Sequence, residues 1–148
     1  MTEEKRPLQI SIPFNVRTYD VDFAQIVHNA VYIRWLEDLR TELLADYYSV
    51  EEMLADNISP ILTRTEIDYL WPVRLGDAVT GNMWVSNLSR IKWIVQAEMW
   101  VGEQKVVAST QFGYFLDQKT LRPIRVPAKL QAVWSSAWSL YTTQNPSS

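Results

Sequence analysis

The chain has no cysteine. Disulfides, cysteine zinc clusters and thiol nucleophiles are excluded together, and a reducing compartment, the cytoplasm, is the expected location. Glycine is scarce, four in 148 residues, and no phosphate-cradling run is built from it, so P-loop and Rossmann nucleotide sites are excluded. No apolar run approaches the roughly 20 residues that cross a bilayer, and no basic-apolar leader opens the chain; neither membrane insertion nor export is expected. Charge of one sign is also missing. A net charge of -3 with scattered lysines and arginines leaves no stripe to track a phosphate backbone, so nucleic acid is not an expected partner.

What the chain has instead is aromatic surface, with seven Trp and seven Tyr. Its length suits one domain, expected over residues 1–134. Residues 8–17, "LQISIPFNVR", alternate Ile10, Ile12, Phe14 and Val16 with mostly polar neighbours, the period of a half-buried strand. Further on, Tyr32, Leu36, Leu39, Leu43 and Tyr47 recur at steps of four and three, with Arg34, Glu37, Asp38, Arg40 and Glu42 elsewhere. This predicts an amphipathic helix of about five turns that starts near Asn29, whose side chain suits an N-cap. A short helical piece, "VEEMLADN", leads to a strand in which Ile61, Thr63, Thr65, Ile67 and Tyr69 share one face and Arg64, Glu66 and Asp68 the other. Three more antiparallel strands follow the "RLGD" turn. A brief helix follows Pro127, and residues 135–148 read as a loosely held tail. One long helix among five strands predicts an α+β domain, an antiparallel sheet wrapped round that helix. Its outer face would be rich in Trp84, Trp93 or Trp100, depending on register, and an exposed tryptophan face and sheet edge predict a dimer or a tetramer of two dimers.

The least ordinary stretch is "TYDVDFAQIVHNAVYIRW", residues 18–35. It gathers Asp20, Asp22, the single histidine His28, and a helix start. Free backbone N–H groups around His28, Asn29 and Ala30, at the positive end of the helix dipole, could hold a developing oxyanion. The Asp22 carboxylate could attack the same carbonyl or take a proton from an attacking water. That pairing suits acyl transfer, above all thioester hydrolysis. The same Asp equally suits a cap or turn, and His28 a surface position. Arg90 and Lys92, at a strand start, suit either solubilising charges or a ligand phosphate.

The stretch "YDVDFAQIVHNAVYIRWLEDLRTELL", with "EIDYLWPVRLGDAV" and "RPIRVP" after it, resembles the hotdog-fold thioesterases of the 4-hydroxybenzoyl-CoA thioesterase group. It is also similar to the plant acyl-acyl-carrier-protein thioesterases. The resemblance implies a hotdog fold with no metal or redox cofactor. It puts Asp22 on the family's catalytic aspartate and Asn29 where subgroups keep a histidine or an asparagine. Tyr32 and Trp35 fall on core-packing positions. Ala24 and Ile26 replace the Asn and His of the plant pattern, and Gln25 replaces a Gly of the bacterial one.

The expected function is hydrolysis of an acyl-CoA or acyl-carrier-protein thioester to free acid and thiol. Asp22 and Asn29 are the catalytic candidates; His28, Ala30, Arg90 and Lys92 are the substrate-binding candidates. Ile33, Leu36, Ile61 and Phe112 are expected to set pocket depth. The alternative is a non-catalytic hotdog module that binds acyl groups or serves assembly.

Overall fold

A computed structural model describes residues 6–146. The first five residues of the expected domain and the last two of the expected tail lie outside the described residues. The alternating start of the chain forms β1 (Ile10–Asn15), and a single 3-10 turn at Thr18–Asp20 precedes α1 (Asn29–Ala45). Next come α2 (Val50–Ala55), β2 (Ile58–Tyr69), β3 (Ala78–Leu88), β4 (Lys92–Val101), β5 (Gln104–Asp117), β6 (Pro123–Ile124) and α3 (Ala128–Gln144). All ladders are antiparallel, in the order β1-β3-β4-β5-β2, with the short β6 against β5. Among the described residues β2 and β1 are the sheet edges.

Register decides which side chains meet α1. Cross-strand rows such as Met83, Ala97 and Ser109, or Val85, Val95 and Gln111, point to one face. On it α1 lays Val31, Tyr32, Trp35, Leu36, Leu39 and Leu43, all buried. Leu36 and Leu39 are completely enclosed, so truncating either to Ala would cost about 2–5 kcal/mol. Phe14 stacks on Trp35 with ring centroids 5.1 Å apart, which ties β1 to the helix. This is the hotdog arrangement that the resemblance implies.

Five expectations change. The N-cap is His28 rather than Asn29, and His28 makes no side-chain cap bond. In β2 the register slips between Leu62 and Arg64. The bulge, braced by the Thr63 hydroxyl donating to the Phe112 carbonyl at 3.0 Å, reverses the alternation, so Ile61 leaves the face of Thr65, Ile67 and Tyr69. Among the described residues no exposed tryptophan face forms on the sheet. Trp93 is in the core, while Trp84 lies on the outer face but is buried beneath the Arg6 guanidinium, 4.0 Å from the ring centre. Trp100, also on that face, is half-buried beside Glu98 and Lys105.

Beyond Pro127 the chain does not trail away as a tail. It forms the 17-residue α3, as long as α1, and a boundary at residue 134 falls inside it. Its anchor is Trp134, buried, with Nε1 donating to the Val85 carbonyl at 3.0 Å. The sheet is thus served by two long helices, not one. Among the described residues, no helix is long and apolar enough to cross a membrane.

Between α1 and β2 the buried Tyr48 hydroxyl donates to the Asp56 carboxylate. Burial and then this carboxylate push the Tyr48 pKa up to about 12. A folded pKa above the unfolded value of about 10 gives stability that is complete below that value and lost as pH rises towards 12. In urea titrations Tyr48→Phe should lower stability by about 1 kcal/mol at neutral pH. The gap to wild type should narrow steadily above pH 10; a gap that stays constant to pH 12 would remove the buried hydroxyl as its cause.

Candidate functional site

Residues 20–28 fold into a small hairpin. Asp22 N donates to the Ile26 carbonyl at 2.9 Å, Val21 bridges Val27, and His28 N donates to the Asp20 carbonyl at 3.0 Å. Gln25, at φ 63, turns the corner. The hairpin is bound in turn to the "WPVRLGD" segment. Val27 N donates to the Val73 carbonyl at 2.8 Å, and Leu75 N to the Gln25 carbonyl at 3.1 Å. The second segment is itself pinned, with the Asp77 carboxylate accepting Arg74 N at 2.8 Å and Gly76 at φ +93. Only glycine takes that backbone without strain. Two of the stretches that carry the resemblance therefore brace one another at the start of α1.

Asp22 is half-buried, and its Oδ1 accepts the amides of Ala24 at 2.9 Å and Ile26 at 3.1 Å. The turn role and a chemical role are compatible, because Oδ2 accepts no hydrogen bond among the described residues. Asp20 is different. It is buried, its Oδ2 accepts Arg17 N at 2.8 Å, and its Oδ1 lies 3.6 Å from the Arg34 guanidinium. Both oxygens are occupied in shaping the loop.

His28, Asn29 and Ala30 are exposed. The His28 amide is taken by Asp20, so the expected three free donors become two. Asn29 and Ala30, the first two residues of the helix, have no intrahelical acceptor for their N–H groups. Tyr32, one turn in, packs against Trp35 and Tyr69. Burial, then Tyr69 and Asp77, push its pKa up to about 12, so it stays neutral under the loop. Around this point Tyr19, Phe23, Leu70 and Trp71 are exposed and apolar.

A sizeable cavity lies elsewhere. About 310 Å³ opens beside the C-terminal half of α1, lined by Leu43, Leu62, Leu88, Trp93, Phe115 and Leu130, with Arg40 in its wall. None of Ile33, Leu36, Ile61 and Phe112 lines it. Leu36 is in the core, Ile33 is exposed on the helix, and Ile61 and Phe112 point to the outer face of the sheet. Arg90 and Lys92 are exposed beyond the far end of β3. The 11 residues of that strand separate them from the Asp22 loop by roughly 35 Å. Asp22 thus sits on the hairpin that leads into the helix start at Asn29 and Ala30, and Arg90 and Lys92 stand apart from both.

Two residues with a place near the cavity were not singled out from the sequence. Arg40 Nη1 donates to Gln111 Oε1 at 2.6 Å, and Gln111 Nε2 donates to the Thr65 hydroxyl at 3.0 Å. Gln111 is almost wholly buried. A signal for Arg40 did exist: it stands four residues after Leu36 and three before Leu43, on the edge of the apolar stripe.

The family model of the thioesterase-like superfamily matches residues 16–133. The chain belongs to this superfamily. Over 118 residues it is 29% identical to the long-chain acyl-CoA thioesterase FadM of Escherichia coli (strain K12), covering 78% of this chain and 89% of that protein. The crystal structure of YbaW, a probable thioesterase from Escherichia coli, is 27% identical with a TM-score of 0.72, covering 84% of this chain and 94% of the other. A DHNA-CoA thioesterase from Staphylococcus aureus shares the fold at a TM-score of 0.80 and 18% identity, with 93% of each chain covered. The superfamily's hotdog fold is the architecture described above.

Proposed function

We propose that this protein is a thioester hydrolase acting on acyl-CoA in the cytoplasm. What carries the reading is one juxtaposition: a carboxylate with a free Oδ2 on a braced hairpin that feeds directly into a helix with two free amides. The kinship with FadM favours coenzyme A as the carrier. Asn29 and Ala30 N–H would polarise the thioester carbonyl and hold the oxyanion as it forms. Asp22 Oδ2 would either attack the carbonyl carbon, giving an anhydride that water then cleaves, or take the proton of an attacking water. Either way the carbon–sulfur bond breaks, the thiolate of coenzyme A leaves and gains a proton, and the acid is released. The Asn29 side chain would help orient the water or thioester, and exposed His28 would line the mouth.

The assembly completes the site in this reading. Edge strand β2, with Leu62, Tyr69, Leu70 and Trp71 exposed along and just beyond it, would pair with β2 of a second copy about a two-fold axis. Antiparallel pairing sets the Tyr69 end of one β2 beside the Ile58 end of the other. Lys92 lies in the row Lys92, Tyr114, Ile61 near that Ile58 end. The partner's basic pair would thus approach the thioester's carrier, which one chain alone cannot arrange.

Thiol release from a panel of acyl-CoAs tests the activity, and no release above background with any of them would leave the non-catalytic module as the better reading. Replacing Arg90 and Lys92 together with Ala should raise KM for acyl-CoA roughly 10-fold with kcat nearly unchanged, since contacts remote from the carbonyl bind ground and transition states alike. The effect should fade with an acyl-pantetheine substrate, which has no nucleotide phosphates. Unchanged KM with both substrates would remove the phosphate role and favour a carrier-protein donor docking elsewhere.

A further inference from the structure

The wall of the cavity beside α1 holds a cation, Arg40, that forms no direct ion pair among the described residues. Arg40 carries five N–H donors, and among the described residues its one acceptor is Gln111 Oε1, itself held by the Thr65 contact. Glu37, one turn earlier, is exposed and lines the same cavity; its charge acts on Arg40 from a distance and partly offsets the effect of burial, but the two form no ion pair. Around Arg40 the lining is chiefly aliphatic and aromatic. Burial lowers the Arg40 pKa, the mark of a charge held where water solvates it poorly. Such a cation is costly unless an anion meets it.

We propose that Arg40 receives the far-end carboxylate of an ω-carboxyacyl group lodged in this cavity. The planar guanidinium fork matches a carboxylate through two parallel hydrogen bonds. Gln111 fixes one side of the fork, which orients the remaining donors before the ligand arrives. The apolar wall of Leu43, Leu62, Trp93 and Phe115 takes the methylene chain. Cavity size fits a modest acyl group, at the lower end of the range for small-molecule sites. Arg40 stands 11 residues into α1 from Asn29, about 16 Å along the helix axis. The carboxylate is therefore bound well away from the thioester, and the site selects the acyl group without taking part in the chemistry. The proposal rests on the thioesterase reading for how such a ligand reaches the cavity.

Calorimetric titration tests it without turnover. The ligands are the monomethyl ester of an α,ω-dicarboxylic acid and the methyl ester of the monocarboxylic acid of matched length, over a panel of lengths at neutral pH. Wild type should bind the half-ester about 10- to 100-fold more tightly, the range for a hydrogen bond to a charged group. Arg40→Met should abolish the preference. Gln111→Glu should abolish it too, by supplying an internal carboxylate while keeping the side-chain shape, and it covers the case in which Arg40→Met fails to fold. Equal affinity of wild type for both esters, or a preference that survives in Gln111→Glu, overturns the proposal. Thioester hydrolysis with no half-ester preference defeats this inference alone; half-ester preference with no hydrolysis defeats the thioesterase reading alone.

Discussion

Asp22→Asn should lower thioester turnover by at least roughly 100-fold, the lower end of what a positioned acid or base contributes, with the fold intact. The variant suits the site because Oδ1, which accepts the Ala24 and Ile26 amides, remains a carbonyl oxygen in Asn. The turn therefore survives, and the change falls on Oδ2, which becomes an amide nitrogen able neither to attack nor to accept a proton. Ala at the same position would remove both turn bonds and confuse the two roles. Asp20→Asn is the matched control. Its carboxylate holds Arg17 N and faces Arg34, so the loss should appear mainly in thermal stability, with a milder effect on turnover. Near-wild-type kcat in Asp22→Asn would remove Asp22 from the mechanism, and equal kinetic losses in the two variants would mean that the whole hairpin, rather than one carboxylate, had been damaged.

Gly113→Ala should destabilise the protein by about 3 kcal/mol, at the upper end of the usual range for overpacking. Gly113 is central in β5, opposite Leu62 of β2 and Trp93 of β4. A Cβ there would run into the Trp93 ring and the Ile61 carbonyl oxygen. Neither can retreat easily. The carbonyl belongs to a paired strand, and the indole is held by Nε1 donating to the Tyr114 carbonyl at 3.1 Å. Because Trp93 also lines the cavity, any folded fraction should show altered acyl selectivity. Urea midpoints of wild type and variant measure the effect, and a loss under 1 kcal/mol would show that the ring moves aside freely.

Local periodicity made much of the fold legible. The steps of four and three from Tyr32 to Leu43 place α1 because the same stripe that packs on the sheet is written every 3.6 residues. The same reasoning shortens α3 to a brief helix, since Trp134 is followed by Ser135, Ser136, Ala137 and Ser139, which look like a tail until a partner surface exists. It misses the β2 bulge. Period two has no memory of an extra residue, and only the β5 ladder shows that Thr63 has no opposite number. In the candidate site, the Asp22 loop and the start of α1 are close in sequence and were readable together. Arg40 and Gln111 are 71 residues apart, and nothing local announces their contact.

From sequence alone came the excluded classes, the α+β expectation, α1 and the Asp22 loop, because composition and short-range spacing are properties of the chain before it folds; the hotdog fold itself was what the family resemblance implied. Tertiary structure alone decided that Asp20 is bound on both oxygens while Asp22 keeps one free, that Trp84 is covered rather than exposed, that Arg90 and Lys92 stand far from the loop, and that Arg40 turns into an apolar cavity. Each of these depends on which distant strands become neighbours. That pairing is set by the summed burial of the whole core, not by any stretch of it.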